Sequence, residues 1–332
     1  MEVTVCVVRS DAGFLAHRTS VHYYLEGRNG DFAIQSPLVL GHESAGVIVS
    51  VGPGVTNLVP GQRVAIEAGI MCQNCNYCQS GRYNLCKSLR FASSAKTFPH
   101  LDGTLQDRMN HPAHVLHPLV VVDVYPRQDL SNSPASLPDN CSFEEAALAE
   151  PLSVLIHAGR RAGLRNGQRI LVFGVGTIGI LACALAKSYG ASQVVAIDIN
   201  QQRLDFAKAN GFASQIHCLS ITRQQKSSEE QLRTARENVA QALAAFQVPD
   251  GFDIVFECTG AESCIQMSIY VSSIGFDLIE IDAYPSCQIG CRYWWQGHAC
   301  WDGYPKYHVT PFSSRVARSR HPGVLPLCQH LR

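Results

Sequence analysis

Cys72, Cys75, Cys78 and Cys86 stand in one short run, Met71-Cys-Gln-Asn-Cys-Asn-Tyr-Cys-Gln-Ser-Gly-Arg-Tyr-Asn-Leu-Cys86. Thiolates separated by two residues can converge on one tetrahedral ion at about 2.3 Å, and a fourth closes the loop around it. A site with four thiolates and no open position stabilises its fold and does no chemistry, so the run predicts a structural zinc lobe. Two disulfides inside so short a loop would be strained, and nothing else marks the chain as secreted. Scattered core thiols are the other alternative. Cys6, Cys141, Cys183, Cys218, Cys258 and Cys264, on apolar or helical stretches, are read that way.

A second motif carries different chemistry. The apolar strand Arg169-Ile-Leu-Val-Phe173 runs into Gly174-Val-Gly176-Thr-Ile178-Gly179, which opens the small-residue helix Ile180-Leu-Ala-Cys-Ala-Leu-Ala-Lys187. Such glycines permit a tight turn and close backbone approach to a pyrophosphate at the helix N-terminus. The next strand, Gln193-Val-Val-Ala-Ile197, ends in Asp198, placed to hold both ribose hydroxyls. Its charge would repel a 2′-phosphate, so NAD is expected rather than NADP. Arg203, one helical turn into the following segment, is expected on the adenosine side. The alternative is a Gly-rich turn with no nucleotide.

The elements that must position these motifs fall into two halves. Residues 1–125 are rich in β-formers, Gly and Pro, with strand-like pieces at 38–40, 45–51 and 63–67. From Ser142 the pattern turns helical, with acidic residues in the first turn and an interruption expected at Pro151. Further strands at 216–219 and 253–258, each beside a helical segment, continue a parallel sheet. The polar stretch 224–237 reads as a solvated helix face. The expected domains are 1–150, 151–275 and an atypical tail, 276–332.

The 332 residues, 46% hydrophobic and 16% charged, predict a soluble globular protein long enough for two domains. Lys plus Arg, 27, balances Asp plus Glu, 27, so no basic footprint points to nucleic acid. No segment suggests a membrane role. The opening residues lack the basic start and apolar run of a secretory signal, so the cytoplasm is expected.

Between the motifs lie Gly41-His42-Glu43 and, at the domain junction, Glu150-Pro151-Leu152. Here the chain resembles the zinc-dependent medium-chain dehydrogenases, within them the polyol dehydrogenases that act on sorbitol, xylitol and arabinitol. The resemblance runs through Val21-His-Tyr-Tyr-Leu-Glu-Gly-Arg, Val39-Leu-Gly-His-Glu-Ser-Ala-Gly-Val, the cysteine lobe, Glu150-Pro-Leu-Ser-Val, the Gly motif and Glu257-Cys-Thr-Gly-Ala-Glu262. It implies an α/β protein, with an N-terminal, mostly-β GroES-like catalytic domain and a Rossmann doubly wound parallel sheet. It also implies a catalytic zinc held by a cysteine, His42 and Glu43, with Glu150 near the bound water and Tyr23 in the substrate pocket. Such a zinc lowers the pKa of a bound alcohol to about 7, and the alkoxide carbon gives hydride to NAD. The partners implied are a small polyol and, for an intact chain, further copies of itself. Without the resemblance, His42 and Glu43 read as a solvated pair, Glu150 as a helix-terminal carboxylate and Tyr23 as a half-buried aromatic.

The chain departs from the family in three places. Counting back from Val21 to the family's catalytic cysteine lands on His17, and residues 11–20 carry no cysteine, so His17 is the candidate third ligand. The chain also opens inside a strand where the family has further strands. After Ser273 the family's last Rossmann strand and its return to the catalytic domain are replaced by clustered Trp, His, Pro and Arg without periodicity. Codons for residues 317–332, read one base later, can encode a sequence like the family's own, so the tail is expected to be an out-of-frame reading and residues 11–20 a similar accident. Two functions compete: a working polyol dehydrogenase, with zinc alcohol and threonine dehydrogenases as neighbours, or an inactive chain that keeps zinc and a nucleotide pocket.

Overall fold

The computed structural model describes residues 1–8, 18–119, 141–220 and 228–280. His17 and the tail from 281 onward lie outside them. In the first half the elements are β1 (Glu2–Val8), α1 (Arg18–Glu26), β2 (Arg28–Asn29), β3 (Phe32–Ala33), β4 (Ser44–Val51), β5 (Arg63–Ile66), β6 (Gly69–Ile70), α2 (Asn76–Gln79), β7 (Arg90–Phe91), β8 (Arg108–Pro112) and β9 (Leu116–Pro118). Five strands form an antiparallel sheet in the order β8-β1-β4-β5-β9. Val3, Val5 and Val7 alternate inward from β1 and meet Ile48, Val64, Ile66 and Met109 in one apolar cluster. That period of two is what a half-buried strand requires.

Two expectations need correction. Residues 38–40 form no strand. Their backbone bonds instead to a loop, with Gly103 N–H on Val39 O, Leu105 N–H on Leu40 O and the Asp102 carboxylate accepting the Val39 N–H. Pro151 does not interrupt a helix either. The break comes at Leu148, between α3 (Phe143–Ala147) and α4 (Ala149–Arg161), and Pro151 sits in the first turn of α4, where its missing N–H costs nothing. Ser142 starts α3 with a reciprocal capping box: its hydroxyl accepts the Glu145 N–H at 3.1 Å while the Glu145 carboxylate accepts the Ser142 N–H at 2.7 Å.

The second half alternates strand and helix: β10 (Arg169–Phe173), α5 (Thr177–Ser188), β11 (Gln193–Asp198), α6 (Gln201–Ala209), β12 (Gln215–Cys218), α7 (Ser228–Phe246), β13 (Phe252–Glu257), α8 (Glu262–Val271) and β14 (Ser272–Glu280). All its strand pairings are parallel, in the order β12-β11-β10-β13-β14. Both faces are covered. Ile170 and Val172 point into a cluster with α4, α5 and α6, whereas Leu171 and Phe173 point into one with α7 and α8. This is the doubly wound arrangement, whose strand order reverses between β10 and β13, the switch point where such folds receive ligands. Among the described residues no helix is long and apolar enough to cross a membrane.

Candidate metal centre and nucleotide crevice

The four-cysteine run closes on itself. Cys72 Sγ lies 3.5 Å from Cys86 Sγ and 3.9 Å from Cys78 Sγ, and Cys75 Sγ lies 3.5 Å from Cys78 Sγ. Four sulfurs at about 2.3 Å from one zinc form a tetrahedron with edges of about 3.8 Å. The separations match that figure and are far too long for disulfide bonds. The backbone N–H groups of Asn74 and Cys75 point at Cys72 and hold its thiol down at about 6, which favours the ligating thiolate. The other thiols divide: Cys183 and Cys264 are buried as expected, whereas Cys6, Cys141, Cys218 and Cys258 are partly exposed.

A second cluster joins the two halves. Ligand atoms of His42, Glu43 and Glu150 all lie within 4.8 Å of one another. His42 is 4% exposed and its ring stands edge-on to Phe91 at 5.3 Å. His42 and Glu43 immediately precede β4, and Glu150 sits in the first turn of α4, where the Ser153 hydroxyl donates to its carbonyl. Burial raises Glu43 to about 7. Glu150 is raised to about 8 by burial first, then by the charges of Glu43 and Glu67. Glu43 Oε1 and Glu150 Oε2 are buried and accept no hydrogen bond from the described residues. Desolvating two neighbouring carboxylates costs several kcal/mol per ion, so the pair ionises together only around a cation. An imidazole and two carboxylates are donors that suit zinc, so these residues fit the metal.

Glu67 belongs to no motif of the sequence, yet it joins this cluster's surroundings. The register that pairs Ser44 with Ile66 brings it, one residue further, alongside Glu43. Its carboxylate bonds His117 Nε2 at 2.8 Å. The available signal was an acidic residue ending the apolar run Arg63-Val-Ala-Ile66. Tyr23, on α1, is 3% exposed, and its hydroxyl oxygen accepts the Ala95 N–H at 3.0 Å.

At the Rossmann crevice the three glycines have separate duties. Gly174 has φ +82°, and a Cβ there would lie 2.6 Å from Thr259 Cγ2. A Cβ on Gly179 would fall 1.7 Å from Gly174 O, so only glycine lets α5 close on the turn. A Cβ on Gly176 would meet nothing within 4 Å: this position faces open space. Ile178 is buried in the core under the sheet, so its offer to a cofactor is the backbone N–H of the first turn of α5. Asp198 is 7% exposed; its carboxylate accepts the Val175 N–H at 2.6 Å and the Asn200 N–H at 2.8 Å. Arg203 is exposed on α6, with its N–H capped by the Asn200 side chain.

The chain is similar to known proteins. Residues 5–121 match the family of the alcohol dehydrogenase GroES-like domain, and residues 177–278 that of the zinc-binding dehydrogenase. A probable D-xylulose reductase A of Aspergillus terreus is 37% identical over 257 residues, covering 77% of this chain and 63% of that protein. The D-xylulose reductase A of Aspergillus niger is 36% identical over 257 residues, 77% of this chain and 62% of that protein. The chain therefore spans less than two thirds of the length of these relatives. The crystal structure of L-idonate 5-dehydrogenase from Escherichia coli superposes with a TM-score of 0.64 at 28% identity, covering 84% of this chain and 68% of that one. With both domain matches, the cysteine lobe and the paired sheets, the chain belongs to the zinc-binding dehydrogenases with a GroES-like domain.

Proposed function

We propose that the protein oxidises a secondary alcohol of a polyol such as xylitol, sorbitol or arabinitol to the ketose, using zinc and NAD. The observation that carries this reading is the convergence of His42, Glu43 and Glu150 in a chain that also folds a parallel sheet with a Gly-rich turn. The xylulose reductases among its relatives supply the substrate class. His42 and Glu43 would hold the zinc, with His17 as the candidate third ligand and Cys72, Cys75, Cys78 and Cys86 holding the second, structural ion. Bound zinc supplies Lewis acidity, which brings an alcohol hydroxyl's pKa down to near neutrality.

The chain's own residues do the rest. Glu150, whose carboxylate lies within reach of the same cluster, would take the hydroxyl proton. The Tyr23 oxygen accepts the Ala95 N–H, which leaves its proton free to orient a substrate hydroxyl. The N–H groups of the first turn of α5 receive the pyrophosphate, Asp198 receives the ribose, and the Asp198 charge favours NAD over NADP. Arg203 is assigned to the adenosine side.

Purified chain supplied with zinc and NAD is expected to form NADH and a ketose from xylitol or sorbitol. His42→Ala should lower the rate at least about a thousandfold, the loss expected when a metal's several kcal/mol of charge stabilisation disappears. A chain carrying two zincs that oxidises none of these polyols would contradict the reading.

A further inference from the structure

Ser93 is 1% exposed and holds φ +63°, the left-handed region where glycine sits freely and serine does not. Its hydroxyl oxygen accepts the Gly41 N–H at 3.0 Å, and its own N–H donates to Leu101 O at 2.9 Å. The Gly41 carbonyl accepts the Thr104 N–H at 2.9 Å, so both sides of the residue that leads into His42 are tied down. Gly41 itself has φ +91°, and a Cβ there would lie 2.7 Å from Leu105 Cγ, so no larger residue fits this turn. Ser93 follows Phe91, whose ring stands edge-on to His42, and Phe91 ends the strand that leaves the cysteine lobe paired with β6. A buried residue kept in a costly backbone conformation, with its side chain bonded to the neighbour of a candidate ligand, is answering a demand other than backbone ease.

We propose that Ser93 is a positioning residue for the metal centre: its hydroxyl fixes the Gly41 amide and so the aim of His42 and Glu43, and the cysteine lobe, by pinning β7, fixes Ser93. The inference rests on reading His42, Glu43 and Glu150 as the metal centre. Ser93 acts through Gly41. Its role separates from folding because glycine at position 93 relieves the backbone while removing the hydroxyl. Alanine removes the hydroxyl and keeps the left-handed strain.

The test uses the full chain, stripped with chelator and titrated with cobalt(II). Thiolate-to-cobalt charge transfer reports the lobe, and the weaker d–d bands of a nitrogen and oxygen site report the centre. Ser93→Gly is expected to melt no lower than wild type and to fill its lobe normally. It should nevertheless bind cobalt at the centre about tenfold more weakly, the usual cost of losing an outer hydrogen bond that orients a ligand. Ser93→Ala should show the same weakening with a lower melting point. Wild-type affinity at the centre in Ser93→Gly would overturn the proposal, as would a loss that merely tracks the melting point in both variants. A wild-type chain that fills its lobe alone defeats the metal-centre reading and this inference with it. Two cobalts in wild type, held equally tightly by both variants, defeat this inference alone.

Discussion

Glu43 and Glu150 show why a residue's meaning depends on its surroundings. In the sequence, a His-Glu pair and a carboxylate near a helix start are ordinary. Only the fold, by bringing them within 4.8 Å of His42 and of each other, makes them a candidate metal cluster. The cysteine cluster is legible in the sequence because all four thiols lie in one loop, whereas His42 and Glu150 lie on different halves of the chain. The raised carboxylates give a pH prediction. Their folded values, about 7 and about 8, lie above the ordinary value of 4.5, so between these limits the folded chain holds protons that the unfolded chain gives up. The stability this contributes is complete below about 4.5 and is lost as pH rises through about 7 for Glu43 and about 8 for Glu150. Calorimetry of chelator-stripped chain should therefore show the melting temperature falling across that window. The fall should be smaller in Glu150→Gln, and an unchanged profile in that variant would refute the assignment.

At the scale of elements, the Gly-rich turn and the parallel strands were readable because strand, turn and helix follow one another in the chain. Their ends agree with the structure to within a residue or two. Residues 38–40 read as a strand in the sequence because three apolar β-formers look alike whether they join a ladder or are held by a distant loop, here at Asp102 to Leu105. Pro151 does not mark the break, because the capping box and the turn at Leu148 decide where α4 begins. The glycines separate packing from binding. Gly179→Ala must push α5 off the turn and should destabilise the chain by roughly 3 kcal/mol, the upper range for overpacking. Gly176→Ala meets open space, so its melting temperature should match wild type while NAD binding weakens about tenfold or more, through lost backbone approach to the pyrophosphate. Thermal melts beside NADH fluorescence titrations check both. Equal NAD affinity in Gly176→Ala and wild type would place the cofactor elsewhere.

At the largest scale, the candidate centre lies between the start of β4 and the first turn of α4. Ala45 and Ala65 of the antiparallel sheet pack against Ala146 of α3, and Arg63 lies over the Phe143 ring at 4.4 Å while donating to the Cys141 carbonyl. That docking carries α4, and with it Glu150, to His42. Such a junction is built from contacts distant in sequence, which is why the resemblance to a family, and not periodicity, pointed to it. Two metal sites of different character are proposed, and zinc per purified chain by atomic emission tests them most directly. Wild type should carry close to two zincs, with close to one in either Cys75→Ser or His42→Ala. Close to one in wild type, removed by Cys75→Ser and untouched by His42→Ala, would leave the lobe as the only loaded site and contradict the catalytic centre.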